Sequence, residues 1–319
     1  MPAGTLRYLT RADVEAVGLT GVEAMAILES AFRAKARGDV EMPPKIGVHP
    51  REDAFIHAMP AYVRDGDAAG LKWVGGYPGN QELELPYIHG LLVLSDAATG
   101  RPLAVMDATW ITEVRTAAAS MLGIRALAER EVEGIGVIGC GRQGTVHLEL
   151  AEQVFPALRR AVLFDRHPER AEALAAARPG LDMKLARTAE EIGEGTQVVV
   201  TTAAIVRSPE RPLCRAHLPE ATVACAVDFD ASLSEDLFED AALFVVDDVA
   251  QYRYYREQGY FAGYPHDPVE LGDALDPRAT HPPGLRVLVP LGIAMEDVAV
   301  AAEVHRRASA AGLGVELPL

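Results

Sequence analysis

The stretch from Gly134 through Ile135, Gly136, Val137 and Ile138 to Gly139-Cys140-Gly141-Arg142-Gln143-Gly144 constrains this chain most, because an apolar strand, a G-x-G-x-x-G turn and a helix start follow one another without a gap. In such a turn the first glycine permits the tight bend, the second lets a pyrophosphate approach the backbone, and the third lets the helix pack on the strand. The anion then rests on the helix N-terminus. The next apolar run ends at Asp165, 21 residues after Gly144, where a carboxylate accepts hydrogen bonds from an adenosine ribose. Gly139, Gly141, Arg142, Gln143, Gly144 and Asp165 are therefore the candidate dinucleotide-binding residues. Asp165 favours NAD, since a carboxylate repels a 2′-phosphate, whereas Arg166 keeps NADP open as the other choice, since a guanidinium pairs with that phosphate.

Around this motif the pattern changes character. Residues 161–164, 198–200, 222–227, 243–246 and 285–289 are short apolar runs, with helical stretches at 145–154 and 168–177 between some of them. That alternation predicts an α/β fold with a parallel sheet. Ahead of the motif, Thr20 and Glu23 form a capping-box signature for a helix over 22–36, which stops at Gly38. Apolar runs at 55–59, 71–74, 91–94 and 103–106 then predict an antiparallel or mixed sheet, with residues 96–100 as a hairpin loop. Residues 115–130 return to helix, 296–310 form a C-terminal helix, and 251–276, with five tyrosines, predict an irregular or partly helical connection.

The charge balance narrows the partners. Thirty Lys+Arg against 46 Asp+Glu give a formal charge of −16 spread along the chain, so nucleic acid and anionic membrane are poor partners. Cys140, Cys214 and Cys225 include no C-x-x-C pair, and the nine histidines show no ligand spacing, so no metal site is expected. With no membrane-length apolar run and no signal-peptide pattern, the expected location is cytoplasmic.

Segments before the glycine motif are expected to supply the other half of an active site at the carboxyl edge of the sheet. Lys45 after Pro43-Pro44, Lys72 in a short strand and Arg115 at a helix start are the basic candidates. A buried lysine needs a partner or a ligand, whereas an edge-strand lysine simply faces solvent; the pattern leaves Lys72 open to either. Asp228 and Asp230, two apart at a strand tip, share a face by strand periodicity and stand where a carboxylate moves protons near a nicotinamide.

Met59-Pro60, Leu71-Lys72-Trp73-Val74 running on to Pro78-Gly79-Asn80, the run from Leu94 to Ala104, Arg115-Thr116-Ala117-Ala118, the glycine motif, Gly292-Ile293-Ala294 and Glu296-Asp297-Val298 together resemble the ornithine cyclodeaminase and mu-crystallin family. The resemblance implies a Rossmann-type dinucleotide domain (125–290) inserted into a discontinuous α+β substrate and dimerisation domain (1–124 plus 291–319), a homodimer, and chemistry at the α-carbon of a small amino or imino acid. By motif position Lys72 and Arg115 match the substrate-carboxylate residues, Lys72 also as a proton carrier, and Lys45 stands where cyclodeaminases resemble one another in having arginine. Asp230, six before Asp236-Leu237, matches the catalytic aspartate, and Asp228 stands where the family commonly has glycine. Thr201 and Thr202 match positions lining the nicotinamide. Met59 joins the substrate set, together with His57, which replaces a glutamate suited to the distal ammonium of ornithine.

Three functions follow from the resemblance. The first is an NAD(P)-dependent oxidoreductase on a small amino or imino acid. The second is a cyclodeaminase that turns ornithine or a related diamino acid into a cyclic imino acid and ammonia with bound NAD; His57, largely neutral, speaks against it. The third is a ligand-binding crystallin-like protein without catalysis, against which Lys72, Arg115 and Asp230 speak jointly.

Overall fold

The computed structural model describes residues 4–206 and 208–319. The chain divides into two compact units, one of Met1–Arg115 with Gly292–Leu319, the other of Thr116–Leu291. The first begins with β1 (Thr5–Leu9), α1 (Arg11–Ala16), α2 (Gly21–Ala36), β2 (Val40–Glu41), β3 (Ile46–Val48), β4 (Phe55–Val63), β5 (Ala68–Gly76), β6 (Ile88–Asp96) and β7 (Pro102–Asp107). Helix α3 (Thr109–Leu127) runs across the division into β8 (Gly134–Ile138), α4 (Arg142–Val154), β9 (Arg160–Phe164), α5 (Pro168–Ala176), β10 (Asp182–Leu185), β11 (Val198–Thr201) and β12 (Val223–Ala226). The second unit continues through β13 (Leu243–Val246), α6 (Val249–Glu257), β14 (Val269–Glu270), α7 (Leu271–Ala274) and β15 (Arg286–Val289), after which α8 (Ala294–Ala311) and β16 (Val315–Pro318) return to the first.

In the first unit the strands form one mixed sheet ordered β16-β1-β7-β6-β5-β4-β2, with β3 also paired to β4. Only β1 and β7 pair in parallel; the rest is antiparallel. The hairpin loop between β6 and β7 closes as its residues dictate, with Asp96 Oδ1 accepting from the amides of Ala98 (3.1 Å) and Thr99 (2.9 Å). Met59, Lys72, Leu92 and Met106 stand directly opposite one another across β4, β5, β6 and β7, and all four are buried. Helix α8 packs over β4, β5 and β6, so this row lies on the covered face. Lys72 is thus on a central strand, which excludes the solvent-facing alternative.

The second unit carries a fully parallel sheet ordered β10-β9-β8-β11-β12-β15-β13-β14. Its order reverses between β8 and β11, and in an open α/β sheet ligands bind at the carboxyl ends of strands at such a point. Residues 251–276 are partly helical, as expected: α6 leads into an aromatic cluster in which Tyr252, Phe261 and Tyr264 are fully buried.

Two boundaries differ from the sequence expectation. Helix α3 begins at Thr109, six residues before Arg115, because Asp107 Oδ1 accepts from the amides of Thr109 (3.1 Å) and Trp110 (3.2 Å) and starts the helix there. Arg115 consequently sits inside the helix and not at its start. The contact-based division falls at 115/116 and 291/292, where the expectation had 124/125 and 290/291. The second half of α3 packs within the second unit, where a Cβ at Gly123 would meet Leu288 of β15 at 2.5 Å.

Gly144 makes a direct test of this packing. A Cβ there would overlap the carbonyl oxygen of Gly139, backbone against backbone, whereas one at Gly141 meets nothing within 4 Å. Gly144→Ala is expected to lose about 1–3 kcal/mol, read as a lowered Tm, while Gly141→Ala melts with the wild type. Equal Tm values for all three proteins would contradict the assignment.

Candidate active site

In the first unit the basic candidates form a buried charged cluster. Lys72 Nζ donates to Asp297 Oδ1 at 2.7 Å and to the Thr112 hydroxyl at 3.3 Å. Arg115 Nε donates to the same Asp297 oxygen at 2.9 Å, and its Nη1 donates to Glu296 Oε2 at 2.8 Å. Asp297 and Glu296, in the first turn of α8, are both 0% exposed. Burial lowers the Lys72 pKa to about 8, with the Arg115 charge acting in the same direction and Asp297 opposing. Lys45, just ahead of β3 and also buried, donates to the Gly292 carbonyl at 3.1 Å.

His57 shares a face of β4 with Met59, and Met59 stands opposite Lys72. Its ring stacks on Phe55 (centroids 4.4 Å apart) and meets His49 edge-on at 6.4 Å. Burial, and then the charge of Lys45, push its pKa down to about 3, so the imidazole is neutral at pH 7. The structure therefore places Lys45, His57, Met59, Lys72 and Arg115 together in one unit. Sequence reasoning assigned no role to their counter-charges, Glu296 and Asp297, although Glu296-Asp297 stood in the quoted motif.

The second unit brings together the glycine loop and the strand tips beside it. Gly139 is left-handed (φ 86°), and Thr202 Oγ1 donates to its carbonyl at 2.6 Å, which joins the ends of β8 and β11. Gly141 caps α4 with no side-chain hydrogen bond, open space lies where its Cβ would be, and Gln143 Oε1 is buried with no hydrogen-bond partner among the described residues. Free N–H groups at the start of a helix suit a dinucleotide pyrophosphate, while the Gln143 oxygen can accept only from a hydroxyl or amide of the ligand. Asp165 closes β9, where it accepts from the amides of Cys140 (2.7 Å) and His167 (2.8 Å) and retains lone pairs for ribose hydroxyls. Arg166 is turned to Glu210 at 2.8 Å, and Arg142 is exposed at the start of α4.

The two aspartates part company. Strand β12 ends at Ala226 and residues 227–230 form a turn, with Phe229 left-handed (φ 61°), so strand alternation no longer applies and the shared face is corrected. Asp228 is buried and accepts from the hydroxyls of Thr201 and Ser232, both at 2.6 Å, and from the Ala203 amide at 3.1 Å. Burial outweighs those bonds and raises its pKa to about 6. Thr201 is fully buried by this contact. Asp230 instead accepts from Arg211 Nη2 at 2.5 Å and from the Phe261 amide at 3.0 Å. Arg211 carried no sequence signal. Among the described residues no group of three or more His, Cys, Asp or Glu is placed to hold a metal ion, and no helix is long and apolar enough to cross a membrane.

Comparison with known proteins follows the same lines. Residues 7–312 match the profile of the ornithine cyclodeaminase/mu-crystallin family. The nodulation efficiency protein NfeD of Rhizobium meliloti is 36% identical, with 97% of each chain covered. Among solved structures, an archaeal alanine dehydrogenase dimer with bound NAD superposes with a TM-score of 0.86 at 29% identity, covering 99% of both chains. The Δ1-pyrroline-2-carboxylate reductase of Thermococcus litoralis, in complex with NADH and L-proline, gives 0.85 at 26% identity, covering 97% of this chain and 99% of that one.

The depressed Lys72 pKa gives a signed expectation. Below about pH 8 the ammonium is charged and above it the charge is lost, so affinity for pyruvate, a carboxylate probe without an amine, falls as pH rises through that value. Calorimetry with the wild type should show the fall, and Lys72→Met should bind weakly and evenly across the range. An affinity in the wild type that stays level from about pH 7 to 9.5 would contradict a Lys72 role.

Proposed function

The chain belongs to the ornithine cyclodeaminase/mu-crystallin family, and from that premise we propose that it is an NAD-dependent oxidoreductase acting at the α-carbon of a small amino or imino acid with an uncharged side chain. The observation that carries this reading is the buried cluster. Lys72 and Arg115 are buried against Asp297 and Glu296, and Lys45 is buried in the same unit on the Gly292 carbonyl, so three cationic side chains suited to a substrate carboxylate are gathered there. His57, neutral and beside cations, gives a second ammonium no counter-charge, which disfavours ornithine.

A nicotinamide held by the glycine loop would supply a hydride acceptor for the substrate α-carbon, or a hydride donor in the reverse direction. Lys72 and Arg115 hold the carboxylate, Arg115 with paired donors and Lys72 as a point charge, which fixes the α-carbon for that transfer. Asp230 accepts a proton from the substrate ammonium, loss of the hydride leaves the iminium, and water adds to release ammonium and an oxo acid. The glycine loop and α4 hold the pyrophosphate, and Asp165 the ribose. Arg166, paired with Glu210, supports NAD over NADP.

A homodimer is part of the reading. The sheet face away from α8 exposes Ile46 (63%), Trp73 (51%) and Leu91 (46%), which with Ala58 form one row across β3, β4, β5 and β6. An apolar sheet face of this kind fits a second copy of the chain, and the archaeal alanine dehydrogenase is itself a dimer. Three free cysteines agree with a reducing, cytoplasmic setting.

Purified protein with NAD is expected to reduce the cofactor with L-alanine or L-proline and to release no ammonia from L-ornithine. Ammonia from ornithine with NAD in catalytic amount would overturn the reading in favour of cyclodeamination. His57→Glu is expected to tighten ornithine binding by about tenfold, as one new charged contact allows. Trp73→Glu is expected to give a monomer by light scattering where the wild type gives a dimer; a monomeric wild type would overturn the assembly.

A further inference from the structure

Three unusual backbone conformations converge on Asp230. Arg211 (φ 49°), Phe229 (φ 61°) and Phe261 (φ 59°) are all left-handed although none is glycine. Such a conformation is strained and persists only where its surroundings over-determine it. Those surroundings are visible. The Phe229 ring packs against Tyr255 (4.9 Å), Phe261 (5.5 Å) and Tyr260 (5.8 Å). Arg211 Nε donates to the Asp230 carbonyl at 3.1 Å, its Nη1 donates to the Ala262 carbonyl at 3.0 Å, and its guanidinium lies over the Tyr264 ring at 5.4 Å.

The outcome is an asymmetric carboxylate. Oδ2 takes both Arg211 Nη2 and the Phe261 amide, while Oδ1 accepts no hydrogen bond from the described residues. Asp228 makes no claim on Arg211, since its oxygens are bound by Thr201, Ser232 and Ala203. Asp230 is 3% exposed, yet Oδ1 is not among its sealed-off atoms, so that oxygen is the part of the carboxylate left open to a ligand.

We propose that Arg211 is a positioning residue: with the Phe261 amide it occupies Oδ2 of Asp230, fixing the carboxylate so that Oδ1 alone is presented to the substrate nitrogen. This rests on the assignment of Asp230 to proton transfer. Arg211 touches no reacting atom; it sets the oxygen that does. A lysine at 211 supplies one ammonium in place of a fork and cannot bond Oδ2, the Asp230 carbonyl and the Ala262 carbonyl in the same geometry.

The test compares Arg211→Ala, Arg211→Lys and Asp230→Asn with the wild type, using L-alanine and NAD. Arg211→Ala is expected to lose about 100-fold in kcat, the scale of an ångström-sized misplacement, with KM for L-alanine nearly unchanged. Millimolar guanidinium should restore part of kcat in Arg211→Ala and none in Asp230→Asn, a response that a merely structural arginine would not give. Full kcat in Arg211→Ala, with Asp230→Asn inactive, overturns the role of Arg211 alone; full kcat in Asp230→Asn overturns both assignments. Where the alanine variant fails to fold, Arg211→Lys carries the test. A crystal structure of it with the Asp230 carboxylate unmoved overturns the proposal without recourse to turnover, and a rotated carboxylate supports it.

Discussion

Two buried cations, Lys72 on a central strand and Arg115 on helix α3, are the condition on which the first unit is built. An ammonium taken from water without a partner is prohibitive, and Lys72, on a central strand, is 1% exposed. Its partner Asp297 lies 225 residues further along the chain, and the same carboxylate serves Arg115, 182 residues before it. Removing one member of such a group strands the others, at about 3–5 kcal/mol. Both ends of the chain must therefore meet in one body, and whatever lies between must fold as a closed insert whose termini lie close together. A parallel βα unit satisfies that demand. Gly292, where the chain returns, fits the same constraint, since a Cβ there would meet Arg115 Nη1 at 2.6 Å.

The cluster also explains how an acidic protein can handle acids. The formal charge of −16 belongs to the whole chain, whereas Lys45, Lys72 and Arg115 are withdrawn from the surface. Long-range fields are screened within about 10 Å at moderate salt, so what a bound carboxylate meets is the local cations. A second ammonium on a substrate held there would meet these cations at close range. His57 reinforces this, since an imidazole kept neutral by burial is neither a counter-ion nor a strong repellent.

What was legible in the sequence was what local rules control. The glycine turn and the hairpin at 96–100 each depend on residues within a few positions of one another, and each stands where its pattern put it. Helix α3 was legible in its alanine-rich half and not in its start, because Asp107 acts from the preceding strand and reads there as a strand residue. Edge strands such as β10, four residues with two charges, bury too little to leave an alternating trace. The counter-charges of the cluster were hidden for another reason. An acidic pair in a first helical turn is ordinary there, and only tertiary structure shows that Glu296 and Asp297 point inward.

The aspartate turn shows the limit most sharply. Period-two reasoning holds while φ stays extended, and it gave Asp228 and Asp230 a common face. A left-handed Phe229 breaks the period, and nothing in a bulky aromatic residue announces that conformation, which favours glycine or asparagine. The turn is held by distant partners, Arg211 and the aromatic cluster after α6, which no window around residue 229 contains. Its outcome is that two carboxylates two positions apart live under different physics. Asp228 is hydroxyl-bound and raised to about 6 by burial, so it gains a proton as pH falls through that value; Asp230 is ion-paired with one oxygen bare. A sequence rule that placed them together as equivalent groups missed the distinction that decides which of them can serve a substrate.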